Sequence, residues 1–299
     1  GTLTGTGPWV LATDQSIGYQ ALHTYDLTVN VSLNLADGTG DEDYQACGES
    51  GGNPQAGEGL FNLSELDIND DGVADETDQD CGDLPYITHE KTLTQITPDT
   101  FGTYTVSYEV EVTNEGGVTG NYSLTDDPGF DDDITINSIN ITRNGNLLGG
   151  ISGNGPYTLA NNRPLQAGNT DIYVLTFKVT LSLEAGDGNG DNAYSECGAT
   201  NGTGNPISGE GLFNQSALDR DANGSVDETS EDCGDLPYII HEKNLISVTP
   251  NNDDTYTIRY EISAENIGGA TGSYTLIDRP QYDDDVVIES ATLLGAGSL

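Results

Sequence analysis

Carboxylates dominate the chemistry open to this sequence. The run Asp67-Ile-Asn69-Asp-Asp71-Gly72-Val73-Ala-Asp75-Glu-Thr-Asp78 has oxygen-bearing side chains at positions 1, 3, 5, 9 and 12, with glycine at 6. This is calcium-loop spacing: a glycine bend brings alternate side chains and one carbonyl, here that of Val73, onto a single hard cation. A second run, Asp219-Arg-Asp221-Ala-Asn223-Gly224-Ser225-Val-Asp227, repeats the pattern but has Ser230 at its twelfth position. Its closing ligand is therefore open, with Glu228 and Glu231 as substitutes. The competing reading of both runs is a solvated acidic turn. Asp37 and Asp41, matched by Asp187, Asn189 and Asp191, form a further candidate that reads equally well as a flexible acidic turn. The triplet Asp131-Asp132-Asp133 recurs as Asp283-Asp284-Asp285 and could reach a cation at a junction between units.

Lysine is scarce, with only Lys91, Lys178 and Lys243 in the chain. Lys91 and Lys243 share one repeat position, Asn62 and Asn214 another, and Glu109 and Glu261 a third. Some Gram-positive pilin and adhesin domains join such a lysine and asparagine by an isopeptide bond with acidic help. The pairing here would be Lys91 with Asn214, helped by Glu109; the reading the residues favour is an ordinary surface lysine and a turn asparagine. His89 and His241 precede the two lysines and read as exposed strand residues. The four cysteines fall as Cys47 and Cys81, then Cys197 and Cys233, one pair per repeat, which reads as two disulfides. Buried free thiols are the alternative. Zinc is disfavoured because the partners of each pair are far apart and no histidine lies near them.

The elements that must position these residues come from an internal repeat. Cys81-Gly-Asp-Leu-Pro-Tyr-Ile-Thr-His-Glu-Lys91 recurs as Cys233-Gly-Asp-Leu-Pro-Tyr-Ile-Ile-His-Glu-Lys243, and Gly57-Glu-Gly-Leu-Phe-Asn62 as Gly209-Glu-Gly-Leu-Phe-Asn214, both offset by 152 residues. Tyr25 matches Tyr173 at an offset of 148. Tyr104, Val106, Tyr108, Val110 and Val112 alternate with polar residues, as do Tyr25 to Leu35 and Tyr173 to Leu183, which predicts strands with one buried face. The phase slips between Ile136 and Ile139, which predicts a β-bulge at Asn137–Ser138. Shorter strands fit Phe61–Leu66, Tyr86–Leu93, Tyr122–Leu124 and Tyr157–Leu159, and no amphipathic helix stands out. Seven or eight strands per period matches an immunoglobulin-like sandwich. The expected fold is all-β, tandem immunoglobulin-like β-sandwich repeats of about 150 residues. The expected organisation is the C-terminal part of one unit over 1–83, a complete unit over 84–234 and the N-terminal part of the next over 235–299. Either a longer tandem array or head-to-tail exchange of elements in a fibre fits that phase.

The run Lys91-Thr-Leu, then Tyr104-Thr-Val-Ser-Tyr-Glu-Val-Glu-Val-Thr-Asn114, then Leu124-Thr-Asp126 resembles the tandem conserved-repeat domains of bacterial and archaeal surface proteins, the family labelled domain of unknown function eleven. Leu165-Gln-Ala-Gly168, Tyr173 to Leu183 and Gly211-Leu-Phe-Asn214 are similar to that family's closing strands. The acidic, EF-hand-like insert between Asn214 and Cys233 departs from its usual short final hairpin. The resemblance implies an extracellular, repetitive structural protein of a bacterium or archaeon, with no enzymatic activity.

Charge agrees with this. The chain carries 50 acidic and 8 basic residues, a formal net charge of −42. That repels phosphate backbones and anionic membranes, so nucleic-acid binding is excluded as an expectation, and no apolar run is long enough to span a bilayer. Nearly every acidic cluster occurs twice, which fits architecture better than a single active site. The expected function is a structural repeat of a calcium-stabilised, disulfide-bonded fibre or adhesin stalk whose partners are neighbouring copies of itself. The alternative is an adhesive module recognising a glycan or other surface ligand, although the single tryptophan, Trp9, is replaced by Tyr157 in the other copy.

Overall fold

The computed structural model describes residues 2–32, 43–45, 47, 54–100, 102–150, 152–183, 193–198 and 205–295. The strands are β1 (Asn62–Leu66), β2 (Glu76–Asp80), β3 (Ile87–Pro98), β4 (Thr103–Asn114), β5 (Gly120–Pro128), β6 (Ile134–Arg143), β7 (Asn146–Leu147), β8 (Tyr157–Leu165), β9 (Thr170–Leu181), β10 (Asn214–Asp219), β11 (Glu228–Asp232), β12 (Ile239–Pro250) and β13 (Tyr256–Asn266). All pairings are antiparallel. Single 3-10 turns occur at Asp43–Gln45 and Ala193–Ser195. No helix among the described residues is long and apolar enough to cross a membrane.

Two sheets, ordered β11-β10-β5-β8 and β3-β4-β9-β6-β7, enclose one core. The period-two pattern decides which face is buried. On β4, Tyr104, Val106, Tyr108, Val110 and Val112 point inward, while Glu109 and Glu111 point outward. β9 pairs with β4 along its whole length and contributes Tyr173, Leu175, Phe177 and Val179 to the same face. Across the core, β5 supplies Tyr122 and Leu124 and β10 supplies Leu218. Each such side chain contributes about 1.5–3 kcal/mol on burial. The register between β6 and β9 shifts between Ile136 and Ser138, at the predicted bulge. The extra residue restores an inward path for Ile141.

The outer edge of β3 is covered by side chains of β11. Lys91 N donates to Ser230 Oγ at 2.9 Å and Leu93 N to Asp232 Oδ2 at 2.6 Å. These bonds satisfy donors that a bare edge would expose, and they bring the two sheets together along one side. The core extends slightly beyond the expected boundary at 234, because Leu236 is fully buried in it and Tyr238 packs against it.

Residues 235–295 form only part of the same pattern. β12 and β13 pair as β3 and β4 do, with the same register shift, at Leu245/Ser247 and at Leu93/Gln95. Residues 271–294, the counterparts of β5 and β6, have no regular secondary structure. The strand expected from Tyr25 to Leu35 is not formed over 25–32, and its remainder lies outside the described residues. The reason is the lack of neighbours. The matching strand β9 is bonded to β4 on one side and β6 on the other. Residues 25–32 have no strand beside them among the described residues, and an alternating sequence alone makes no ladder bonds.

Candidate cross-link and cation sites

β3 lies against β11 and β10 of the opposite sheet, and its Lys91 side chain reaches β5 beyond them. Lys91, whose backbone pairs with Val110, directs its side chain into the core. Asp126 follows Tyr122 and Leu124 on the inward face of β5. The Lys91 ammonium and the Asp126 carboxylate form an ion pair with both side chains fully enclosed. The Lys91 nitrogen also lies 5.0 Å from the centre of the Tyr108 ring. Burial depresses the lysine pKa and raises that of the aspartate, partly offset in each case by the partner charge. Enclosure therefore favours the neutral amine and the neutral acid.

Asn214 opens β10 on the same inward face. Its strand register sets Ser216 opposite Asp126, so Asn214 and Asp126 are diagonal neighbours, and the amide influences the Asp126 carboxyl. Asn214 is completely buried, and neither of its amide atoms makes a hydrogen bond of ordinary geometry. Leaving such a group unbonded costs about 1–3 kcal/mol. Asn114, equally buried, shows the usual solution. Its Oδ1 accepts from Tyr86 N and Gly116 N, and its Nδ2 donates to the carbonyls of Val118 and Leu165. An amine, a carboxyl and an amide without a well-formed hydrogen bond thus share one dry pocket, a combination suited to amide exchange.

The expected acidic helper, Glu109, is not part of this cluster. It lies on the outer face of β4 beside Glu90, Thr92 and Glu111. Strand parity is the cause, since Tyr108 and Val110 on either side of it point inward. Asp126 occupies the position next to the lysine instead. His89 is also not exposed: it is buried, with Nε2 3.4 Å from Ser216 O and Nδ1 3.4 Å from Glu228. His241 is exposed as expected.

In the β10–β11 hairpin, Asp219, Asp221 and Asp227 each bring a carboxylate oxygen within 4.8 Å of the others. Asp219 accepts from the backbone N–H groups of Asn223 and Gly224, which curls the loop around it, and Asp227 accepts from Arg220 N. Burial, with the neighbouring charge of Asp227, raises the Asp221 pKa. Such a cluster can hold a metal ion. None of the suggested closing ligands is turned to that task. Ser230 accepts from Lys91 N, Glu228 pairs with Arg220 and His89, and Glu231 bonds Gln215.

The β1–β2 loop has the same outline. Asp67 collects the N–H groups of Asn69, Asp70, Asp71 and Gly72, which hold its carboxyl below the usual range, the Gly72 bond most strongly. Asp75 accepts from Ile68 N, and Asp78 lies on β2. These carboxylates do not converge as those of the second loop do. Asp131–Asp133 and Asp283–Asp285 make two further clusters with the same turn, Asp133 N to Asp131 Oδ1 and Asp285 N to Asp283 Oδ1, both at 3.0 Å. Asp37, Asp41, Asp187, Asn189 and Asp191 lie outside the described residues.

The cysteines form two disulfides, Cys47–Cys81 and Cys197–Cys233, each with Cα atoms 6.0 Å apart. Cys197–Cys233 ties the Ala193–Ser195 turn to the end of β11, beside the Leu212 N to Gly234 O bond at 2.8 Å. Bonds of this kind persist in oxidising compartments.

Comparison with protein-family models and with curated protein sequences finds no match. The resemblance to conserved-repeat surface domains therefore rests on the motifs quoted above, and the fold and its side-chain geometry carry the functional reading.

Proposed function

We propose that this chain is a structural repeat of an extracellular, calcium-stabilised, disulfide-bonded fibre or surface stalk, in which neighbouring units, in tandem or head to tail, complete one another's sandwiches. The observation that carries the proposal is an apolar face exposed on one part of the chain and buried on its counterpart. Tyr256, Ile258 and Tyr260 on β13 are 66%, 37% and 37% exposed, whereas the matching Tyr104, Val106 and Tyr108 are at most 5% exposed. The other partial unit complements it. Leu60 and Leu66 are 41% and 55% exposed, while Leu212 and Leu218, at the same repeat positions, are fully buried against β3–β5. Exposed apolar surface of this extent marks an interaction site, and residues 1–83 have the sequence that closes it.

Disulfides support a location outside the cytoplasm. Converging hard oxygen ligands support calcium, which also relieves part of the self-repulsion of so acidic a chain. The test is electron microscopy and sedimentation of the whole chain, with calcium and after chelation. Filaments in calcium that shorten in chelator are the expected result. Separate particles of one length in both conditions would overturn the proposal and leave an isolated binding module.

A further inference from the structure

We propose that Lys91 and Asn214 become joined by an isopeptide bond formed within the folded sandwich, with Asp126 as the proton-transfer group. The inference is independent of whether copies assemble. It rests on three buried groups of complementary chemistry in one pocket. Lys91 supplies the nucleophile, Asp126 touches it, and Asn214 offers an amide whose two polar atoms have no ordinary hydrogen bond. A satisfied structural asparagine is available for contrast in Asn114, and Asn214 makes none of the bonds that Asn114 makes. The strands concerned lie at opposite ends of the sandwich sequence, so the bond would tie β3, the first strand, to β10, in the last hairpin.

Lys91 transfers one proton from its ammonium to the Asp126 carboxylate, which gives a neutral amine and a neutral acid. The direction in which burial moves both groups favours this transfer. The amine lone pair attacks Asn214 Cγ, and the Asp126 acid stabilises the oxygen that gains charge. The C–Nδ2 bond then breaks as its nitrogen receives the amine's proton. The products are a secondary amide between Lys91 Nζ and Asn214 Cγ, one molecule of ammonia and protonated Asp126. No oxidant, metal or cofactor is consumed. The reaction also removes from the core an amide nitrogen that has no well-formed hydrogen bond.

The test is the intact mass of the whole reduced and alkylated chain, followed by peptide mapping. The expected mass is lower than the sequence mass by one ammonia, with a branched peptide that joins Lys91 to Asn214. Asp126→Ala and Lys91→Ala should restore the full mass, with far-UV circular dichroism checking that each is folded. The wild-type measurement decides the matter even if both variants fail to fold. A wild-type chain at its full sequence mass overturns the proposal. So does an ammonia loss that maps to an Asn-Gly succinimide, or a water loss that joins Lys91 to Asp126. A branched peptide that persists in folded Asp126→Ala overturns the role given to Asp126.

Discussion

At one end of the sandwich a single carboxylate holds three elements together. Asp171 on β9 receives Arg163 Nε at 2.5 Å and Nη2 at 3.1 Å, Tyr122 Oη at 2.7 Å and Asn144 Nδ2 at 2.7 Å. Burial opposes its ionisation, but these donors outweigh burial and hold its pKa below the usual carboxylate range. Tyr122, itself pushed well up by burial, stays protonated and continues the chain of bonds to Tyr173 Oη at 2.6 Å. The sign follows from linkage. Because the folded pKa is lower than the unfolded one, the stabilisation is complete above the unfolded value of about 3.9 and is lost as pH falls through the folded value. Asp171→Asn should cost about 1.5–3 kcal/mol at neutral pH, the worth of a hydrogen bond to a charged group, read from urea midpoints. Its deficit against the wild type should shrink on acidification, and a constant deficit would contradict the assignment. Repeat comparison could not find this group, because His23 stands at the position of Asp171 and Gln15 at that of Arg163. Parity with Tyr122 and Leu124 places Asp126 inward and the same rule places Glu109 outside, but nothing local to either residue says which one reaches Lys91.

The β10–β11 hairpin is the element where charge and topology meet. Its strands are short, and its loop gathers Asp219, Asp221 and Asp227. Calcium at a hundredfold excess over its dissociation constant should raise stability by about 2.7 kcal/mol. In Asp219→Ala the rise should vanish, while the loop also loses the bonds from Asn223 and Gly224. The readout is thus the difference in Tm with and without calcium, and an undiminished rise would remove Asp219 from the site. The same hairpin is clamped by Cys197–Cys233, which closes a span of 36 residues. The chain-entropy model assigns about 4 kcal/mol to such a closure. Reduction should lower the denaturant midpoint accordingly, and an unchanged midpoint would show that the packing of Leu212 and Leu218 suffices.

Across the whole molecule, β12 and β13 repeat the pairing of β3 and β4, and their side chains repeat its contacts. Lys243 pairs with Asp278 and lies 4.5 Å from the centre of the Tyr260 ring, as Lys91 does with Asp126 and Tyr108. Asn62, the counterpart of Asn214, is exposed on β1. If copies complete one another, Lys243 of one copy meets Asn62 of the next in the geometry that Lys91 and Asn214 share. Denaturing gels of assembled, reduced material should then show a ladder of multiples. Lys243→Ala should abolish the ladder, and Lys91→Ala should leave it in place. Assemblies that dissolve fully to single chains would restrict the covalent bond to the closed unit.

The sequence by itself determined the long alternating strands β4 and β9 with their buried faces, the bulge after Ile136, the cysteine pairing and the outline of the two acidic loops. Each depends on residues close together in the chain or on one motif occurring twice. The tertiary structure decided which acid meets Lys91, because that contact crosses between sheets and depends on register. It decided that His89 is buried, because Ser216 and Glu228 come from strands far away in sequence. It also decided that residues 25–32 make no strand while β9, of like pattern, does. Alternation specifies a face to bury, but the ladder bonds and the opposing sheet must come from elsewhere in the fold.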